Sequence, residues 1–121
     1  MDFKFETLKG LQPNKSKKIG YATRAVWNGL CAAIYHHDNL IAEIYKDRVT
    51  LRRAGWHSNT TRDRLHQIAV ENFPSDLEHG YRYKVGKKDG RIVLQADKLF
   101  IYFDTIVIAK KGVLNVERTN Y

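Results

Sequence analysis

Short runs in which apolar and polar residues alternate make up most of this chain, and each run closes on a turn signal. Residues 21–27 are rich in aromatic and β-branched side chains, and Asn28-Gly29 predicts a two-residue hairpin turn. Residues 30–36 return as the second strand. His37-Asp38-Asn39 reads as a turn, followed by residues 40–45, where Leu40, Ala42 and Ile44 alternate with Ile41, Glu43 and Tyr45. A further turn at Lys46-Asp47-Arg48 leads into Val49-Thr50-Leu51-Arg52, with Val49 and Leu51 on one face and Thr50 and Arg52 on the other. The pattern predicts a meander of three or four short antiparallel strands.

The period then changes. Leu65, Ile68, Ala69 and Phe73 form one apolar stripe at helical spacing, with Arg62, His66 and Glu71 off it. Thr60-Thr61-Arg62-Asp63 reads as a capping box that opens the helix, and Pro74 closes it, giving a helix over residues 61–73. Residues 81–85 alternate again, Lys88-Asp89-Gly90 is a hairpin turn, and residues 91–94 come back. Residues 99–108 are the most apolar stretch, with a bend expected at Asp104, and residues 113–116 predict a final edge strand. Before all this, Phe3 and Phe5 alternate with Lys4 and Glu6 as a short edge strand would, and residues 12–18 are polar and turn-rich. Residues 1–20 therefore read as a basic N-terminal arm or edge strand with a mobile loop, and residues 21–121 as a single domain. The fold class is α+β: a twisted antiparallel sheet of about five to seven short strands with one main helix packed on it.

Composition narrows the class. At 121 residues, 43% hydrophobic and 28% charged, the chain has the balance of one folded domain. A single cysteine, Cys31, excludes an internal disulfide framework and a four-cysteine zinc site. No apolar run reaches the roughly 18 residues of a membrane span, and the N-terminus carries charges where a signal peptide is apolar. The expectation is a cytoplasmic protein without a membrane partner. Net charge is +8, and it is concentrated. Arg48, Arg52, Arg53, Arg62 and Arg64 cluster in the centre; Arg82, Lys84, Lys87, Lys88 and Arg91 mark the later hairpin; Lys9, Lys15, Lys17 and Lys18 lie near the start. Such clustering points to a phosphate-bearing partner or an acidic protein surface.

Candidate chemistry is sparse. His36-His37-Asp38 looks like a metal cluster, but neighbours on a regular strand face opposite ways and no further ligand stands at a suitable spacing, so no metal site is expected. Cys31 sits in an apolar run where a buried, inert thiol is the ordinary outcome. No nucleophile elbow, phosphate-binding glycine loop, dinucleotide fingerprint or paired-carboxylate signature occurs, so neither an enzyme nor a cofactor is expected. The most informative segment is residues 52–64. There Arg52, Arg53, Arg62 and Arg64 can neutralise phosphates, Trp56 can stack on a base, and His57, Thr60 and Thr61 stand beside a helix N-terminus that favours anions. Core anchoring by Trp56, capping by the threonines and solvation of the arginines explain the same residues without a ligand. The second candidate is the hairpin, where Tyr81, Tyr83 and Val85 share one face and Arg82 and Lys84 the other. With Lys87, Lys88 and Arg91 near the turn, it is either a basic ribbon for nucleic acid or a solvated outer face.

The central segment also resembles a family of small uncharacterised bacteriophage proteins, whose centre reads as a strand followed by Gly-Gly-Trp-x-Thr-x-Thr-Thr-Lys-Asp-Arg-x-Asn. Here the likeness runs through Val49-Thr50-Leu51, Gly55-Trp56 and Thr60-Thr61-Arg62-Asp63-Arg64-Leu65, and extends to the basic hairpin and to Phe100-Ile101-Tyr102-Phe103-Asp104. It covers about residues 21–108. Ala54, Ser58 and His66 depart from the pattern. The resemblance implies a small phage accessory protein acting on nucleic acid or on a host protein. The leading expectation is a non-enzymatic nucleic-acid-binding module, in which Arg52→Ala or Arg62→Ala weakens binding and its salt dependence. The alternatives are an anti-defence inhibitor of the anti-CRISPR type, with contacts from residues 99–108 or the Phe3/Phe5 arm, and a nucleotide sponge built on the helix N-terminus.

Overall fold

The computed structural model describes residues 2–75 and 81–118. Its frame is a seven-stranded sheet in the order β1-β2-β3-β4-β5-β9-β10, antiparallel throughout. The strands are β1 (Ser16–Gly20), β2 (Thr23–Trp27), β3 (Ala32–His36), β4 (Asn39–Ile44), β5 (Arg48–Arg52), β9 (Thr105–Ala109) and β10 (Gly112–Glu117). Between the neighbouring strands β5 and β9 the chain leaves the sheet. It forms helix α2 (Asn59–Asn72) and a second, three-stranded sheet of β6 (Tyr83–Lys88), β7 (Arg91–Ala96) and β8 (Leu99–Tyr102) before it returns. A four-residue helix α1 (Phe5–Leu8) precedes everything. The fold is a β-rich α+β arrangement with ten strands in two sheets among the described residues, more than the five to seven expected from the pattern.

The expected meander is present as β2 to β5. Its turns follow local chemistry: His37 and Asp38 both take positive φ between β3 and β4, as Asp89 and Gly90 do between β6 and β7. Both are mirror-type two-residue turns that match the right-handed twist of the flanking strands. The first hairpin differs from expectation. The turn centres on Gly29 and Leu30, because the Asn28 side-chain oxygen accepts from the amides of Leu30 (2.9 Å) and Cys31 (2.8 Å), and Trp27 pairs with Ala32. Moving the turn by one residue shifts the register by two, which leaves every side chain on its original face. In β4 the register slips opposite Ile34 and Tyr35, and both Ile41 and Ala42 are buried where strict alternation allows one.

Helix α2 begins earlier than expected. Ser58 is its N-cap, with its hydroxyl oxygen accepting from the Thr61 amide at 3.2 Å, so Thr60 is not the cap. Leu65, Ile68 and Ala69 are fully buried, and Phe73 ends the helix before Pro74, in agreement with the predicted stripe and stop. The apolar run 99–108 is divided between the two sheets: β8 pairs with β7, β9 pairs with β5, and Asp104 stands between them.

The N-terminus corrects the sequence reading most. Phe3 and Leu8 belong to the central core, with Phe3 at 0% exposure. The Phe3 amide donates to Glu71 and the Phe5 amide to Asn72, both on the last turn of α2 at 3.2 Å. Residues 5–8 are helical and not an edge strand, and Phe3 is out of reach of any partner. Ser16-Lys17-Lys18, expected in a loop, open β1 and pair with β2. The run lacks an apolar signal because β1 is the outer strand, where lysines discourage edge-to-edge pairing.

Candidate functional site

The central arginines are engaged by the protein itself. Arg52 leaves β5 with its guanidinium 2.8 Å from Glu43 on β4. Arg62 lies 2.6 Å from its neighbour Asp63. Arg64 donates through Nε to the Thr23 hydroxyl at 3.2 Å. Thr23 in turn donates to the Tyr21 carbonyl at 2.8 Å and sits 3.1 Å from His36 Nδ1. That hydroxyl is saturated when His36 carries its proton on Nδ1, since one hydroxyl offers one donor and two acceptor positions.

Arg53 has the most structural placement. It is 7% exposed and stands where the chain leaves β5, while Asp104 stands where the chain enters β9. The Arg53 amide donates to the Asp104 carbonyl at 3.1 Å, its Nε donates to the Phe103 carbonyl at 3.1 Å, and its guanidinium is ion-paired with the Asp104 carboxylate. Asp104 then donates its amide to Glu117 on β10 at 2.7 Å. Two residues thus close the neck of the whole α2–β8 insertion. Beyond Arg53 the chain turns through Ala54 and Gly55, both at positive φ (54° and 79°), and Trp56 donates its amide back to the Arg53 carbonyl at 2.9 Å. A tight turn needs that backbone, which gives Gly55 a fold reason. Ala54 holds the same left-handed region with a Cβ, at the position where the resemblance has glycine.

Trp56 is 54% exposed and anchors no core. It borders an open groove of about 470 Å³ with His36, His37, Ser58, Thr60 and Thr61. Thr60 is exposed on that rim, whereas Thr61 is buried and its hydroxyl receives the Ser58 hydroxyl at 3.0 Å. His37 leaves the strand at positive φ, so its ring lies 4.4 Å from that of His36 and not on the opposite face as regular β geometry implied. Among the described residues no group of three or more His, Cys, Asp or Glu is placed to hold a metal ion. Cys31 is buried beside Asn28 and Tyr45.

Two imidazoles tie the insertion together. His57 Nδ1 accepts from the Ile92 amide at 3.0 Å, and His66 Nδ1 on α2 accepts from the Val85 amide at 3.2 Å. Both bonds need a neutral ring. Burial holds each imidazole below its ordinary value, helped by Arg53, Arg91 and Lys87 around His57 and by Arg62 and Lys84 around His66. Near His57, a cleft of about 330 Å³ opens between the two sheets, bordered by Arg53, Arg91, Tyr102, Asp104 and Arg118. Arg118 donates to the Tyr102 carbonyl at 2.8 Å.

The hairpin is arranged differently from the centre. Cross-strand pairing puts Lys84, Gly86 and Lys88 of β6 on the outward face with Arg91, Val93 and Gln95 of β7, while Tyr83, Val85 and Leu94 point into the core. Tyr81 is exposed beyond the strand end, edge-on to His66. Lys84, Lys87 and Lys88 take part in none of the ion pairs among the described residues. Arg82, by contrast, donates to the Lys110 carbonyl. β8 extends the outward face with Phe100 opposite Gln95 and Tyr102 opposite Val93. Lys88 Nζ lies 4.5 Å above the Phe100 ring, and the Tyr102 hydroxyl is 3.4 Å from Asp89 at the turn. Sequence reasoning gave neither aromatic a place on this face because it took 99–108 as one apolar stretch bent at Asp104; the polar pair Asp97-Lys98 marks the turn between β7 and β8.

Residues 5–112 match the family described as Kyanoviridae Gp96 protein. The chain belongs to that bacteriophage protein family. The Gp96 match is wider than the resemblance seen at residues 21–108, and it includes α1, the meander, the neck and the hairpin alike. It therefore fixes kinship without singling out Gly55-Trp56 or Thr60-Thr61 as a motif. Neither the curated proteins nor the solved structures contain a match. No helix among the described residues of this Gp96-family chain is long and apolar enough to cross a membrane.

Proposed function

We propose that this phage protein is a non-enzymatic module that binds nucleic acid through the outward face of the β6–β7 hairpin. The observation that carries the reading is the contrast between two basic clusters. In the centre, Arg52, Arg53 and Arg62 have carboxylates beside them that offset their charge. On the hairpin, Lys84 and Lys88 share an outward face and Lys87 adds charge at the same end, and these three lysines take part in none of the ion pairs among the described residues. A phosphate backbone gains most from cations that are not already neutralised, because their counterions are released on binding. The cleft bordered by Arg91 and Arg118 continues the positive surface past the hairpin.

The test is a salt titration of oligonucleotide affinity by fluorescence anisotropy. Replacing Lys84, Lys88 and Arg91 together with alanine flattens the slope of log K against log salt by about 0.7–0.9 for each phosphate that is no longer neutralised. Arg52→Ala and Arg62→Ala leave the slope nearly unchanged. The opposite ranking moves the interface back to the central segment, and no binding at any salt removes the reading.

A protein target is the second reading. Leu99 and Leu114 are exposed, and a groove of about 410 Å³ between β8 and β10 has walls of Leu99, Ile101 and Val113. A host or defence protein captured in nuclease-treated lysate, and lost on Leu99→Glu, favours this reading over the first.

A further inference from the structure

Nucleic acid is either paired or single-stranded, and the two forms offer different groups to a protein face. A duplex presents phosphates and groove edges; only an unpaired strand offers base faces. Phe100 is 45% exposed and shares this face with Tyr102, two residues along β8. Same-face residues on a strand lie about 6.6–6.8 Å apart, roughly twice the 3.4 Å step of a stacked duplex strand. Rings at that spacing match bases that have been pulled apart, not bases in a helix.

Between the lysines of β6 the face is open at one position. Gly86 sits on the outward face between Lys84 and Lys88, opposite Val93, and a Cβ built there meets no heavy atom within 4 Å. Val93, opposite Gly86, is buried and lies outside the central core cluster. In the protein alone, Lys88 rests over the Phe100 ring. An aromatic base stacks more strongly on such a ring than an exposed ammonium does, and a displaced Lys88 is free to follow a phosphate.

We propose that the β6–β8 face is a stacking platform for single-stranded nucleic acid, with Phe100 as the principal base-receiving ring and Tyr102 beside it. Lys84, Lys88 and Arg91 follow the phosphates, and Gly86 keeps the slot open. The proposal rests on the nucleic-acid reading above and specifies the form of the ligand.

The experiment compares fluorescein-labelled oligothymidylate, oligouridylate and a mixed-sequence duplex, with the intact protein and two variants. Phe100→Ala weakens single-strand binding about 10-fold with the salt slope unchanged, because it removes a stack and no charge. Gly86→Val fills the slot from a residue with ordinary backbone φ and open space at its Cβ, so it lowers single-strand affinity while the melting temperature holds. The thymidylate and uridylate arms assign DNA or RNA. Duplex binding equal to or tighter than single-strand binding, or a Phe100→Ala variant with full affinity, overturns the platform and leaves the nucleic-acid reading standing. Absence of binding to all three probes overturns both.

Discussion

His57 and His66 are held as neutral rings by the backbone amides they accept from and by their surroundings, and His36 by its surroundings alone. Each lies below its ordinary value of 6.5, with burial as the first cause; His37 and Arg64 add to it at His36. A depressed folded-state value means that the unfolded chain binds more protons in the window between the two values, so stability rises with pH there. The full contribution is present above about pH 6.5 and is lost as pH falls through the lower folded values. Glu71 acts in the opposite sense, because burial raises its carboxyl above 4.5 and its ionisation opposes folding as pH climbs past that point. The expected outcome is a urea midpoint that is flat above about pH 6.5 and falls below it. Replacing His57 and His66 with Gln removes two of the three titrations and flattens the fall. A midpoint that rises on acidification would place charged, not neutral, rings in the folded state. None of this was legible in the sequence, where the two histidines stood nine positions apart with nothing to say what they met. Their partners are the backbone amides of Ile92 and Val85, and an amide carries no side-chain signal.

At the scale of elements, the sequence reading succeeded where a period was strong and failed where two local signals competed. The apolar stripe of α2 and the turns at His37-Asp38 and Asp89-Gly90 are direct consequences of side-chain spacing and left-handed backbone. The helix start was read at Thr60, but Ser58 carries a capping hydroxyl as well and is the N-cap. Ser58 won, since starting there lets Thr61 turn inward and be buried with its hydroxyl bonded to Ser58. Ser58→Ala therefore costs about 1 kcal/mol of stability, while Thr60→Ala, on an exposed rim, costs no more than a few tenths. Chemical denaturation of the two variants decides between the caps, and equal losses would show a frayed start shared by both. Sheet membership was not legible at all. Period-two alternation says which residues share a face but not which strand lies alongside, so the division of 99–108 between two sheets at Asp104 had no local signature beyond the charge itself.

The whole molecule is one core reached from three directions: the long sheet, the inserted α2 and small sheet, and the N-terminal segment. The large fully buried side chains include Ile34, Ile44 and Leu51 from the long sheet, Leu65 and Ile68 from α2, Ile92 and Leu94 from the small sheet, and Phe3 and Leu8 from the start. The sequence reading treated residues 1–20 as an arm because charge and turn residues outnumber apolar ones there. A few well-placed anchors outweigh that average, since burying one phenylalanine offsets the ordering of several polar neighbours. Phe3 is bonded at its amide to Glu71 and at its carbonyl to Asn72, so it is fixed to the end of α2 by backbone and side chain together. Helix α2 lies against β6 and reaches β4 and β5, which makes it the shared neighbour of both sheets. Phe3→Ala thus opens a cavity under the element that joins them and costs about 3–5 kcal/mol. In an arm, the same change would loosen only the first residues. Amide hydrogen exchange separates the two cases: loss of protection in β4, β5 and β6 together identifies a common core, and loss confined to residues near the start identifies an appendage.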